Sequence, residues 1–331
     1  MHSHHSHSGQ FCAHAKGNLE AVAMEAIRQR FTIYGLSEHV PRYRVKDLYP
    51  EEKSLGLSHL FTAFEDYVRE AHRLKDLLAN RITLLVGLET ELVASLDLPG
   101  LRTLLEKHEG NIDYIVGSVH HVNEWPIDFD EATWKKAVLS FDIEDPSHIH
   151  IADHVSGFSR HQLTPYLTEY FEAQLEVMQE FHPEVIGHFD LCRLYIPALR
   201  LDDPIYEGVW DLVQRNVDYA IQYGACFELS AAAFRKGWNT GYPGREVLEL
   251  IISKRGKLVL SDDSHGPHAV GLNYHLLFDY INLVGVRDLW YLERCRERNA
   301  GGRRTRAVKM PQDWRRSEWW SNRLHEMRVS A

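Results

Sequence analysis

Runs of β-branched and aliphatic residues alternate with segments of helical period along most of the chain, and that alternation is what most limits the fold. The strand-like runs fall at residues 32–36, 82–86, 112–117, 184–187, 225–229 and 258–260, and a first short strand at 5–7 brings them to seven. Amphipathic segments lie between them at 19–30, 59–80, 101–109, 163–181, 205–223 and 245–254, with Asn18 and Ser58 as expected N-caps of the first two. No Gly/Ser-rich or Pro-rich linker divides the series, so the pattern predicts one α/β domain closed into a barrel of parallel strands, with an open doubly wound sheet as the alternative. Two insertions, 40–57 and 123–162, follow strand ends and are expected as walls or lids over a pocket.

Composition sets outer bounds. Hydrophobic residues make up 44% and charged residues 25% of the 331, which is compatible with a packed core. A formal net charge of -10 argues against a protein built to grip nucleic acid, although a basic stretch runs from Arg294 to Arg316 and is expected as a solvated segment. Residues 1–285 are read as the barrel and 286–331 as a basic extension packing on it or trailing from it. The four cysteines, Cys12, Cys192, Cys226 and Cys295, show no CxxC pair, and no run approaches the roughly 18 apolar residues of a membrane span. A cytoplasmic protein with no membrane or nucleic-acid partner is expected.

Histidine is the anomaly, at 21 residues. Imidazole is the commonest metal ligand, so their placement matters. His5 and His7 stand at strand spacing, where both side chains reach the same side, and His14 follows from a loop. Taken alone, the opening run could also be a purification-tag remnant. The later strand ends carry the argument further: His39 after the second, Glu89 after the third, His120 after the fourth, His188 after the fifth, and Asp263 and His265 after the last. The C-terminal ends of strands are where barrel enzymes assemble their sites. Nine such residues exceed one zinc's usual four ligands and point to about three cations, with Glu89 as the bridging carboxylate.

These motifs resemble the polymerase and histidinol phosphatase (PHP) superfamily, and within it the monofunctional metal-dependent histidinol-phosphate phosphatases. The resemblance rests on H-S-H-S-G-Q-F-C-A-H at 5–14, S-E-H at 37–39, G-L-E at 87–89, G-S-V-H-H at 117–121, I-G-H-F-D at 186–190 and S-D-D-S-H-G-P at 261–267, in the family's order. Phe189 stands where the family has proline, and Ser230 where it commonly has asparagine. The resemblance implies a distorted, TIM-like (β/α)7 barrel with a trinuclear site. His5, His7, Glu89 and Asp263 would hold one metal, Glu89, His120 and His188 a second, and His14, His39 and His265 a third. The ions would be zinc, with iron or manganese as alternatives. The implied substrate is L-histidinol phosphate, cleaved to L-histidinol and inorganic phosphate in histidine biosynthesis.

A cation-activated hydroxide would attack phosphorus while the metals neutralise the other oxygens. Arg193 is expected as a phosphate clamp, Glu91, Glu228 and Asp128 as carboxylates near the mouth facing the substrate's amine and imidazole, and His268 as a proton donor to the leaving oxygen. His121 is expected to support its neighbour. Alternative readings are a phosphoesterase of the same fold acting on phosphotyrosine peptides or nucleic-acid 3' ends, and a protein that merely buffers metal.

Overall fold

The computed structural model describes residues 1–141, 154–155 and 157–330. Residues 142–153 and 156 of the second expected insertion lie outside the described residues.

Seven parallel strands form a nearly closed barrel wrapped by helices. They are β1 (His2–Ser3), β3 (Ile33–Leu36), β4 (Thr83–Glu89), β5 (Tyr114–Gly117), β6 (Val185–Ile186), β7 (Cys226–Ser230) and β8 (Lys257–Ser261). Each neighbour pairs in parallel register, for example Leu36 with Val86 and Leu229 with Leu260. The first barrel strand therefore sits at residues 2–3 and not at 5–7. The expected strand contributes β2 (Ser6–His7), which pairs instead with β9 (Ser264–His265) above the barrel. Helices α1 (Leu19–Arg28), α2 (Leu57–Leu77), α3 (Asp97–Lys107), α4 (Glu131–Leu139), α5 (Arg160–Phe181) and α6 (Glu207–Tyr223) occupy the connections. Asn18 caps α1, its side chain accepting from the Ala21 amide at 2.8 Å. Ser58 is not a cap, because α2 begins one residue earlier, after Gly56.

The period-two geometry of a strand divides β4 between two environments. Leu84, Val86 and Leu88 face the helices in the main core, whereas Leu85, Gly87 and Glu89 face the barrel axis. That inward series sets an aliphatic floor at one end and a carboxylate at the other. Between them the Tyr114 ring crosses over Gly87, where a Cβ would collide with it, and its hydroxyl donates to the His4 carbonyl. Val116, Val185, Cys226 and Val259 complete the floor.

The seam between β1 and β8 is closed by side chains. His2 Nε2 accepts the Leu260 amide at 2.8 Å, and Ser3 Oγ both donates to Asp262 and accepts its amide. His2 and His4 are fully buried and their rings stack, so the opening run is built into the barrel and is no tag remnant. The basic segment is not a solvated tail. Antiparallel strands β10 (Trp290–Arg294) and β11 (Thr305–Lys309) continue the sheet from β8, and Leu292 packs into the barrel floor. Arg303 ties the loop between them to the Glu184 carboxylate at 2.7 Å.

Candidate metal centre

Above the floor the strand ends deliver their polar residues to one place. Glu89, at the end of β4, is 1% exposed and central. Its Oε1 lies 3.0 Å from His5 Nε2, 3.2 Å from His120 Nε2 and 3.1 Å from His188 Nε2. Its Oε2 lies 3.2 Å from His7 Nε2 and 3.1 Å from His39 Nδ1. Asp263, held in the left-handed region at φ 45°, turns Oδ1 to within 3.6 Å of both His5 and His7. His14 and His265 stack at 5.0 Å beside His39 and complete the group. The structure thus brings all nine expected ligand positions together at the C-terminal rim.

Four subsets place donor atoms within reach of a common ion: His5 with His7 and Asp263, His5 with Glu89 and His188, His7 with His39 and Glu89, and His14 with His39, His265 and Cys12. A fifth joins His39 and His120 to Glu91. His5 Nε2, His7 Nε2 and both ring nitrogens of His39 are buried without a hydrogen-bond partner, an arrangement costly for polar atoms unless a cation takes them. The donor set of imidazoles around a carboxylate suits zinc, iron or manganese.

Carboxylates behind the rings fix which nitrogen faces inward. Glu228 takes His5 Nδ1 at 2.8 Å and also accepts the His188 amide. Glu38 accepts from the Ser8 amide and hydroxyl at 2.7 Å and lies 3.5 Å from His7 Nδ1. Glu91 lies 2.8 Å from His120 Nδ1, 3.4 Å from His121 Nδ1 and 3.3 Å from Arg42. Burial opposes charge on His5, but Glu89, Glu228 and Asp263 outweigh it and hold its pKa well above the ordinary imidazole value. Burial likewise favours a neutral Glu89, yet His5, His120 and His39 hold it well below the usual carboxylate range. For His39 burial prevails, reinforced by His7, and pushes it down to about 3.

The other expected site residues divide. Asp128 lines a cavity of about 370 Å³ that opens onto Glu89, His120, His188 and Asp263. Glu91 and Glu228 are not at its mouth: both are buried, and both orient histidines. Arg193 is no substrate clamp, being 2% exposed and bound to Asp190, Glu246 and the Leu199 carbonyl. His268 is exposed on the turn Pro267–Ala269 and is not among the cavity's lining residues, so it is misplaced for a proton donor. Sequence reading missed Arg235 and Lys236, which line the cavity, although the R-K pair in the connection after β7 was a visible signal. Arg235 donates to the carbonyls of Asp262 and Asp263 and so supports the last ligand loop. Tyr49 and Phe129, stacked at 5.6 Å, bring the two insertions together as one wall.

This fold and rim define a TIM-like barrel protein with a histidine–carboxylate cup of the kind that holds metal ions. The chain belongs to the PHP domain family, whose model matches residues 3–232. It is 46% identical over 295 residues to a Schizosaccharomyces pombe protein named probable histidinol-phosphatase, covering 88% of this chain and 89% of that one. It is 31% identical over 325 residues to the histidinol-phosphatase of Saccharomyces cerevisiae, covering 88% and 92%. It also superposes, with a TM-score of 0.59 and 16% identity over 91% of this chain and 97% of the other, on the Lactococcus lactis histidinol phosphate phosphatase solved with zinc, L-histidinol and phosphate. Among the described residues, no helix is long and apolar enough to cross a membrane.

Proposed function

We propose that this chain hydrolyses L-histidinol phosphate to L-histidinol and inorganic phosphate, using three divalent cations of which zinc is the foremost candidate and iron or manganese the alternatives. The observation that carries this reading is the convergence of eight imidazole and carboxylate side chains around Glu89, with buried ring nitrogens left unpaired, at the base of an open cavity. The 46% identity to a protein of that name supports the substrate.

His5, His7, Glu89 and Asp263 would hold one ion, Glu89, His120 and His188 another, and His14, His39 and His265 the third. When bound, such ions supply a nucleophile from water at neutral pH and neutralise the phosphoryl oxygens. The chain's own residues do the rest. Glu228, Glu38 and Glu91 lock the rings of His5, His7 and His120 so that their other nitrogens face the centre. Arg235 and Lys236 bring positive charge to the wall of the cavity a phosphate dianion enters, while Glu51 and Asp128 on the same cavity suit the amine and imidazole of histidinol.

The test is phosphate release from histidinol phosphate before and after exhaustive chelation, with zinc, manganese or iron then restored singly. Loss and recovery are expected, with far lower rates on phosphotyrosine peptides and on single-stranded DNA. Turnover that survives complete metal removal would sink the mechanism, and preference for either comparison substrate would sink the assignment.

A further inference from the structure

Among the described residues, Cys12 is the one member of the grouped donors that neither the nine-residue set nor the mechanism uses. It sits in the turn between β2 and α1, its amide bonded to the Ser8 carbonyl at 2.9 Å, and it is 6% exposed. Its sulfur lies 3.2 Å from His14 Nε2, and one donor atom each from Cys12, His14, His39 and His265 falls within 4.8 Å of all the others. Both His39 nitrogens in that group are buried and without a hydrogen-bond partner. All four cysteines are free, so this thiol is not committed to a disulfide.

We infer that Cys12 is a fourth protein ligand of the outermost cation, completing a three-nitrogen, one-sulfur site with His14, His39 and His265. The inference rests on the proposal above that this rim holds ions. Three imidazoles alone leave a tetrahedral ion one open position, as in catalytic zinc sites, whereas a fourth protein donor gives the closed coordination of structural ones. A thiolate also makes this position softer than the two carboxylate-containing ones, which favours zinc over manganese there. Ligation converts the thiol to thiolate and releases its proton to solvent. The outer ion would thus be anchored mainly by the protein, and the ion of Glu89, His120 and His188, with three protein ligands, would keep an open position for substrate.

The test is cobalt(II) substitution of the full chain, followed by metal counting and the near-ultraviolet spectrum. A sulfur-to-cobalt charge-transfer band that grows with one ion per chain is expected. Cys12→Ser should abolish the band and weaken binding of that one ion by about tenfold or more, a scale reached even by changes one shell further out. A variant with Cys192, Cys226 and Cys295 all changed to serine should keep the band, and it preserves the test should Cys12→Ser fail to fold. Full cobalt loading with no such band, or a band that persists in folded Cys12→Ser, would overturn the ligand and leave a thiol that only hydrogen-bonds His14. A chain that takes up no cobalt would instead overturn the metal reading beneath it.

Discussion

The segment from residue 2 to residue 7 holds two pairs of buried histidines that the fold treats in opposite ways. His2 and His4 lie among backbone amides and aromatic rings, where burial depresses their pKa, in His4 to about 3. They stay neutral, and each uses Nε2 to accept an amide that no neighbouring strand satisfies, Leu260 for His2 and Leu292 for His4. His5 and His7 are just as enclosed, but acids face them. Against the cost of burial, Glu38 and Glu89 raise His7 to about 9, and Glu89, Glu228 and Asp263 raise His5. Residue type and burial are therefore the same in both pairs, and the partner decides whether an imidazole serves as mortar or faces the candidate metal centre.

Three substitutions sharpen or break that contrast. The largest effect belongs to Glu89→Ala, which removes the carboxylate that His5, His7, His39, His120 and His188 share. It should lower kcat/KM on histidinol phosphate on the order of 10³-fold, the upper range for a single electrostatic group, with a matching drop in bound metal. Wild-type turnover in this variant would break the distinction between the two kinds of site. Next comes Arg193→Ala, which leaves Asp190 buried beside no guanidinium. Chemical denaturation should show a loss of about 3–5 kcal/mol while KM for substrate holds steady; a raised KM with unchanged stability would return Arg193 to the active site. The smallest effect belongs to His2→Ala, which strips the Leu260 amide of its acceptor. Unfolding free energy should fall by about 1–3 kcal/mol, with metal content intact, and a loss of metal would mean that His2 belongs with His5 and His7.

The barrel was legible because its strands are apolar on both faces and its helices on one, a pattern that local sequence carries directly. The gathering of the nine proposed ligand positions was legible for a related reason: they cluster around strand ends, and strand ends share one rim. What could not be read was the partner of each charged side chain. Glu91, Glu228 and Arg193 stand at plausible loop positions in the sequence, yet two turn inward to orient histidines and the third is consumed by Asp190 and Glu246, contacts set by residues 3 to 223 positions away. Nor does any local pattern mark the seam. That His2 rather than a backbone ladder would cap β8 depends on Leu260, which lies 258 positions along the chain.

The same seam bears on how the molecule comes into being. Ser3 and Asp262 are 259 positions apart, so the ends of the barrel wall meet only after nearly the whole polypeptide has left the ribosome. His5 and His7 emerge well before Asp263 and His265, which leaves the cup without its closing acid and imidazole until residue 265 has been made. On the proposed assignment, the two ions that need Asp263 and His265 are therefore captured only once the chain has been made past residue 265.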